Sequence, residues 1–187
     1  MTIQAATAPA LKEWSAVVYA LLDGRQRVLL RKGGIHEKRF EVAAQEFLLF
    51  PTVAHSHIER VRPEHRPLLD EAAADCADDR VVVRAAAKVV AAVAVQNPDN
   101  LPAIEDLHIW TPASVRADRL DFRPKHRLAV LVVQAVPLVK PIQLARTAEY
   151  AGCTSWLQLP VTPALGAPVH DDAALERIAA RVRRVVG

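Results

Sequence analysis

The spacing of apolar residues along the chain alternates between a helical and a strand-like period, and each period predicts one kind of element. From Leu11 to Leu22 the apolar residues recur at helical spacing and Gly24 ends the pattern, so we predict a helix over 11–23. Two short apolar runs, at 27–31 and 47–50, predict two strands that pair with each other across a glycine-containing stretch.

The longest periodic segment lies in the middle of the chain. Every odd-numbered position of the segment 81–95 is apolar, and its seven valines favour a strand over a helix. The pattern leaves open whether this segment forms one bent strand or two consecutive strands. The run 128–136 predicts a buried strand, 142–150 a short helix and 152–160 a last strand.

The chain is predicted to end in an amphipathic helix that begins at Asp171 or Asp172 and ends in arginines, as the helix dipole favours. Together these elements predict an α+β fold, with a mostly antiparallel curved sheet or a small β-barrel flanked by helices. Residues 1–9 are small and polar, so we expect a disordered tail there and a single α+β domain over 10–187.

Composition describes a core-forming protein with a mild positive charge. The 187 residues are 51% hydrophobic and 24% charged, and the formal net charge is +3. This charge permits a phosphate-containing partner without demanding one. Two cysteines do not make a secreted disulfide framework, and the chain shows neither a signal-peptide pattern nor an uncharged apolar stretch of membrane length. We therefore expect a cytoplasmic protein with no membrane partner.

The stretch RVLLRKGGIHEKRFE, residues 27–41, is the first candidate site. Two adjacent glycines free the backbone to present consecutive N–H groups, and arginine and lysine side chains surround them, which suits phosphate recognition. The alternative is a glycine turn with solvated charges. The spacing does not match a Walker loop. The predicted phosphate ligands are Arg25, Arg31, Lys32, Gly33, Gly34 and His36.

Histidines and a cysteine supply an enzymatic alternative. His55 and His57 would face the same way in an extended segment, but they lack a sure third ligand, so we predict neither a metal site nor another cofactor. His108 could do acid–base chemistry, and its neighbour Trp110 could stack on a base or pack in the core. Cys153 could act as a nucleophile only if folding brings a base such as His108 close to it.

The segments ALKEW, VLLRKGGI, FLLFPT, LHIWT and YAGCTSWLQLP, in this order, resemble a bacterial family, domain-of-unknown-function family eighteen-oh-two. The resemblance covers about 10–160 and implies no activity. The segment ALLDGRQRVLLR, residues 20–31, resembles the opening of ASCH domains, a branch of the PUA-like barrels. That resemblance implies a PUA-like barrel and RNA binding, and some ASCH domains are nucleases or nucleoside amidohydrolases. Arg25 stands where the usual lysine would be, which disfavours amidohydrolase chemistry because arginine is a poor base.

Residues and resemblances together favour binding over catalysis. The leading hypothesis is a PUA-like protein that binds RNA or a nucleotide, with phosphate on Arg25, Arg31 and Lys32 and a base stacked on Trp110. The second is a nuclease or small hydrolase that uses His108 or the histidine pair at 55 and 57. The third is a protein–protein interaction module without a small ligand, whose protein partner the sequence does not identify.

Overall fold

A six-stranded mixed sheet, curved and open, organises the protein, and its strand order is β2-β5-β4-β3-β1-β6. A computed structural model describes residues 6–33, 39–53 and 57–187. The strands are β1 (Ala8–Trp14), β2 (Val28–Lys32), β3 (Glu46–Thr52), β4 (Arg80–Ala94), β5 (Leu128–Ala145) and β6 (Trp156–Leu159). The predicted α+β class is therefore confirmed, and the sheet stays open with β2 and β6 at its edges.

Helices cover the sheet and connect its strands. The α-helices are α1 (Ser15–Leu22), α2 (His57–Arg60), α3 (Pro67–Ala73), α4 (Pro112–Val115) and α5 (Asp172–Val186), and the 3₁₀ segments are Pro63–His65, Pro98–Leu107 and Ala148–Tyr150. A π-type turn, Arg116–Asp121, continues α4. The helix predicted at the C-terminus is confirmed as α5, and the Asp171 side chain caps it by accepting a hydrogen bond from the Ala174 N–H at 2.6 Å.

β4 settles the ambiguous valine-rich segment as one strand. It runs for 15 residues and pairs antiparallel with β5 along most of its length. Two register shifts, between Val83 and Ala85 and between Val89 and Ala91, bend the pair. Beside the first shift, β5 runs on through Pro141, which needs no ladder hydrogen bond there.

The helix predicted over 11–23 is wrong in its first part. Residues from Ala8 to Trp14 form β1, which lies between β3 and β6, and the helix begins only at Ser15. Leu11 is fully buried because neighbours cover both faces of a central strand, and a short run buried in this way can mimic helical spacing. β1 runs parallel to β3, which makes the sheet mixed, and it includes Ala8 and Pro9, which we had expected in the tail.

Two other expectations are corrected by tertiary pairing. The strands predicted at 27–31 and 47–50 do not pair with each other, since β2 pairs with β5 and β3 lies between β4 and β1. The helix predicted over 142–150 is strand as far as Ala145, because the start of β4 offers this segment a partner. Only Ala148–Tyr150 forms a helical turn.

Candidate nucleic-acid interface

The segment that joins α4 to β5 concentrates positive charge. Between Arg116 and Arg127 there are five arginines and lysines and two aspartates, a surplus of three that equals the formal net charge of the whole chain. We define the basic patch as six exposed or half-exposed residues, four in this segment and two, Lys32 and Arg39, that contact it. They are Lys32, Arg39, Phe122, Arg123, Lys125 and Arg127.

The end of β2 holds this segment in place. Lys32 Nζ donates to the Arg119 carbonyl oxygen at 2.9 Å and to the Phe122 carbonyl oxygen. His126 Nδ1 lies 3.1 Å from the Gly33 carbonyl oxygen, within hydrogen-bond distance. Burial, and then the nearby guanidinium groups of Arg119 and Arg123, lower the pKa of the Lys32 ammonium. The start of the predicted glycine loop and the basic segment therefore form one surface.

Phe122 presents an aromatic ring to solvent inside the basic patch. Its relative exposure is 58%, and the guanidinium carbon of Arg123 lies 4.9 Å from the ring centre, at cation–π distance. Arg123 has a φ of 50°, the one positive φ of a non-glycine residue in the ranges that the structure describes. This left-handed backbone conformation is strained, and the contacts from Lys32 help to hold it.

A second group of arginines lies beside the patch but is turned inward. We call it the arginine cluster: Glu13, Arg31, Arg60, Asp118 and Arg119. Arg31 Nη1 lies 3.2 Å from Glu13 Oε2, and Arg60 Nε lies 2.7 Å from Asp118 Oδ2. Arg119 Nε is buried and has no hydrogen-bond partner among the described residues. Burial, opposed by Glu13 and reinforced by Arg31, lowers the pKa of Arg119.

Arg31 is thus a brace between strands rather than an open ligand. Its side chain is 14% exposed, and it also donates from Nη1 to the Lys12 carbonyl oxygen at 3.2 Å. Its guanidinium carbon lies 4.9 Å from the Phe40 ring centre. Arg25 forms an exposed ion pair with Asp23. Neither arginine contributes a side chain to the basic patch.

Trp14 is the aromatic centre of this region. The His57 ring stacks on it at 3.5 Å, and the Trp110 ring meets it edge-on at 4.4 Å. Trp110 is only 5% exposed, so its faces are taken up by the protein, and the expectation that it stacks on a base is corrected. His57 is buried as well, and burial, followed by the charge of Arg60, lowers its pKa to about 4.

His108 is buried and neutral. Burial is the main cause that lowers its pKa to about 4, with the Arg62 guanidinium second. The Trp110 N–H donates to His108 Nδ1 at 3.2 Å, so the proton of the neutral ring lies on Nε2. At neutral pH this histidine is a hydrogen-bond donor and a poor general base. It lines a cavity of about 150 Å³ between the Pro98–Leu107 segment and α4.

The remaining candidates do not converge with His108. Cys153 is exposed beside Lys12, whose Nζ donates to the Gly152 carbonyl oxygen at 3.0 Å, and no contact joins this thiol to His108 in the described part of the chain. Gly34, His36 and His55 lie outside the described residues, so their predicted roles stay predictions. Within residues 6–33, 39–53 and 57–187, no three histidine, cysteine or acidic side chains are grouped as metal ligands would be.

Sequence reasoning missed Phe122, Arg123, Lys125 and Arg127. A local count of charge would have found this segment, because most of the net charge of the chain sits there. Two of the predicted loop residues, Lys32 and Gly33, contact that segment through Lys32 Nζ and the Gly33 carbonyl oxygen, and their predicted role as phosphate ligands stays a prediction. In the part of the chain that the structure covers, no helix has the length and apolarity needed to cross a membrane.

Comparisons with known proteins agree with both resemblances seen in the sequence. The model of a family described as a domain of unknown function, DUF1802, matches residues 10–181. The fold is similar to an ASCH structure from Zymomonas mobilis, at 14% identity and a TM-score of 0.43, over 72% of this chain and 71% of that one. A serine-to-alanine mutant of an ASCH protein from the same organism matches at 11% identity and a TM-score of 0.46, over 92% and 94%. At these values the likeness says nothing about ligands. No curated protein matches the chain.

Proposed function

We propose that the protein, which belongs to the DUF1802 family, binds single-stranded RNA on the basic patch. The family is described as a domain of unknown function, so membership in it assigns no activity. The observation that carries this proposal is an exposed aromatic ring, Phe122, with the Arg123 guanidinium 4.9 Å from its centre and the exposed cations Lys125 and Arg127 in the same segment. Proteins that bind single strands combine these two features, because cations attract the backbone while aromatic faces stack on bases.

The charges of the patch are available to a ligand. Arg39, Lys125 and Arg127 are exposed, and the structure shows no ion pair for any of them among the described residues. A phosphate chain can therefore bind them without first breaking an internal pair. Each such contact releases counterions from the nucleic acid and makes affinity depend on salt.

Phe122 supplies what charge alone does not. An exposed phenylalanine costs hydration free energy in the free protein, and a stacked base removes the ring from water. The backbone that carries the ring is held by the Lys32 ammonium, which donates to the Phe122 carbonyl oxygen. A site whose backbone is already fixed loses less conformational entropy on binding than a flexible loop would.

A salt series with a short single-stranded RNA tests the proposal. We expect wild-type affinity to fall linearly on a log–log plot against salt, with a slope of about −0.7 for each phosphate neutralised. Lys125→Ala should lose on the order of tenfold in affinity and flatten that slope by about one contact. Arg183→Ala on α5 makes the same change in net charge at an exposed residue outside the basic patch, and it should leave both quantities nearly unchanged.

Two results would overturn the proposal. One is a folded wild-type protein with no RNA affinity at low salt, which would put the protein–protein interaction hypothesis first. The other is an equal loss in Lys125→Ala and Arg183→Ala, which would show that net charge and not the patch attracts the strand. The hydrolase hypothesis gains no support, since His108 is a donor and Cys153 lies elsewhere.

A further inference from the structure

The cavity beside the basic patch has the character of a ligand pocket. Its volume is about 150 Å³, and its apolar wall consists of Pro98, Leu101, Pro102, Pro112, Val115 and Leu120. An apolar cavity of about this volume elsewhere holds a benzene-sized ring. The space therefore matches one six-membered ring more closely than a fused pair. Three prolines in the wall keep its shape, because their backbone is stiff.

One buried polar side chain, His108, lines the cavity. His108 is 3% exposed, lines the cavity, and has its Nδ1 occupied by the Trp110 N–H. No hydrogen bond to its Nε2 occurs among the residues the structure describes, and this atom is not fully shielded from solvent. Since Nε2 carries the proton, the cavity offers one N–H donor that the protein leaves without an acceptor.

Hydrogen bonds with the side chains of Arg62 and Gln26 hold the backbone of the segment that carries His108. Arg62 donates to the carbonyl oxygens of Glu105, His108 and Trp110 at 2.9, 2.7 and 3.2 Å. The buried Gln26 side chain accepts from the Ile109 N–H at 3.3 Å. Such supports fix the donor in direction before any ligand arrives, which favours specific binding.

Charge at the rim selects a neutral ring over a phosphate. Asp99 and Glu105 line the cavity together with Arg116, so the formal charge there is negative while the adjacent patch is positive. Carboxylate oxygens accept hydrogen bonds from ring N–H and amino groups, and they repel phosphate. The ligand must therefore carry an acceptor for His108 and a donor for a carboxylate on one small planar ring.

We propose that this cavity binds the pyrimidine base of a nucleotide, with His108 Nε2–H donating to a ring carbonyl and Glu105 or Asp99 accepting from a ring N–H or amino group. The inference rests on the proposed function, because the strand on the patch would deliver the base. Leu120 lines the cavity and Phe122 lies in the patch two residues later, so their Cα atoms are at most about 7 Å apart.

Titration of the whole protein with free uridine, cytidine and adenosine tests the pocket without a phosphate backbone. We expect the two pyrimidine nucleosides to bind saturably, with a dissociation constant on the order of 1 mM or tighter and no dependence on salt. The ¹⁵N signal of His108 Nε2 should shift on binding. Adenosine should bind on the order of tenfold more weakly, since its fused rings overfill the space.

Leu120→Trp fills the cavity from its wall and should abolish uridine binding, while Arg183→Ala should not change it. If Leu120→Trp does not fold, the smaller change Leu120→Phe serves the same purpose. The inference is overturned if neither pyrimidine nucleoside binds, if adenosine binds as well as they do, or if the filled cavity keeps its affinity. If the protein binds RNA but no nucleoside, the proposal for the cavity is rejected and the proposal for the basic patch stands. If it binds pyrimidine nucleosides but no RNA, the proposal for the basic patch is rejected and base binding in the cavity stands.

Discussion

The arginine cluster and the basic patch lie side by side and use the same kind of residue for opposite purposes. In the cluster, carboxylates of Glu13 and Asp118 already pair with guanidinium groups, and the side chains are largely withdrawn from water. In the patch, Lys125 and Arg127 are exposed. An arginine therefore indicates a ligand site only when the fold leaves its charge without a carboxylate, which is a property of the folded chain and not of the sequence.

Removal of Glu13 should have the largest effect on the free energy of unfolding, because Glu13 is the buried carboxylate of the arginine cluster. Glu13 is 5% exposed, and its loss would leave the Arg31 guanidinium without its carboxylate and would remove one of the two carboxylates whose charge acts on Arg119. We expect Glu13→Ala to lower the free energy of unfolding by about 3–5 kcal/mol in urea denaturation.

The matched control for this change is Asp23→Ala, which removes the carboxylate of an exposed pair with Arg25. Exposed pairs contribute about 1 kcal/mol or less, so this variant should stay close to the wild type. Equal effects in the two variants would mean that burial does not distinguish the cluster from surface charge.

Acid should weaken the fold while it leaves the patch intact. The folded protein holds the pKa of the buried His108 at about 4, below the ordinary value of 6.5, so the unfolded chain takes up a proton first as the pH falls. Stability is therefore complete above about pH 7 and declines from there toward pH 4. Between pH 7 and pH 5 we expect a loss of about 2 kcal/mol from His108, measured by urea denaturation.

His57, which stacks on Trp14 beside the arginine cluster, should add to this decline because its pKa is also lowered to about 4. The His108→Gln variant should show a shallower decline. RNA affinity per folded molecule should change little over the same range, since the lysines and arginines of the patch keep their charge. A flat stability profile in the wild type would contradict the buried, neutral state of His108.

Phe122→Ala should have the smallest effect on stability and a selective effect on binding. The ring is 58% exposed, so we expect a change in the free energy of unfolding within about 0.5 kcal/mol. Loss of a stacked base should weaken binding of single-stranded RNA by about 1–3 kcal/mol in fluorescence anisotropy. Val139→Ala removes another exposed apolar side chain, 70% exposed on β5, and it should leave binding unchanged. Equal affinities of Phe122→Ala and Val139→Ala for single-stranded RNA would show that no base stacks on the Phe122 ring.

Long or strongly signalled elements were predictable from the sequence. Alternating valines identified β4, and an aspartate with an apolar stripe identified α5. The Thr111-Pro112 pair, which favours a helix start, does begin α4, where Thr111 caps the helix by accepting from the Ser114 N–H. In each case the signal is local, because period and capping depend only on near neighbours in the chain.

What the sequence could not supply depends on partners far away in the chain. β1 becomes a strand because β3 and β6 lie on either side of it, and Arg31 becomes a brace because Glu13 reaches it from β1. Trp110 is enclosed by Trp14, so its ring faces are unavailable to a base. Local pattern gives neither the partner of a strand nor the burial of a side chain, so it could not show that Arg31 is withdrawn from solvent and paired with Glu13.

The pairing of β1 with β6 has a consequence for the order of folding. Ala8 pairs with Leu159, so two strands from opposite ends of the chain must meet before this edge of the sheet exists. Contacts so distant in sequence form slowly, because chain closure must come before any gain from pairing. The β4–β5 pair closes a much shorter loop, since Ala94 pairs with Ala129, and we expect it to form earlier. Glu13 is carried by β1, so a chain caught before β1 joins the sheet would hold Arg31 without the Glu13 carboxylate, and Asp118 would be the one acidic side chain left in the arginine cluster.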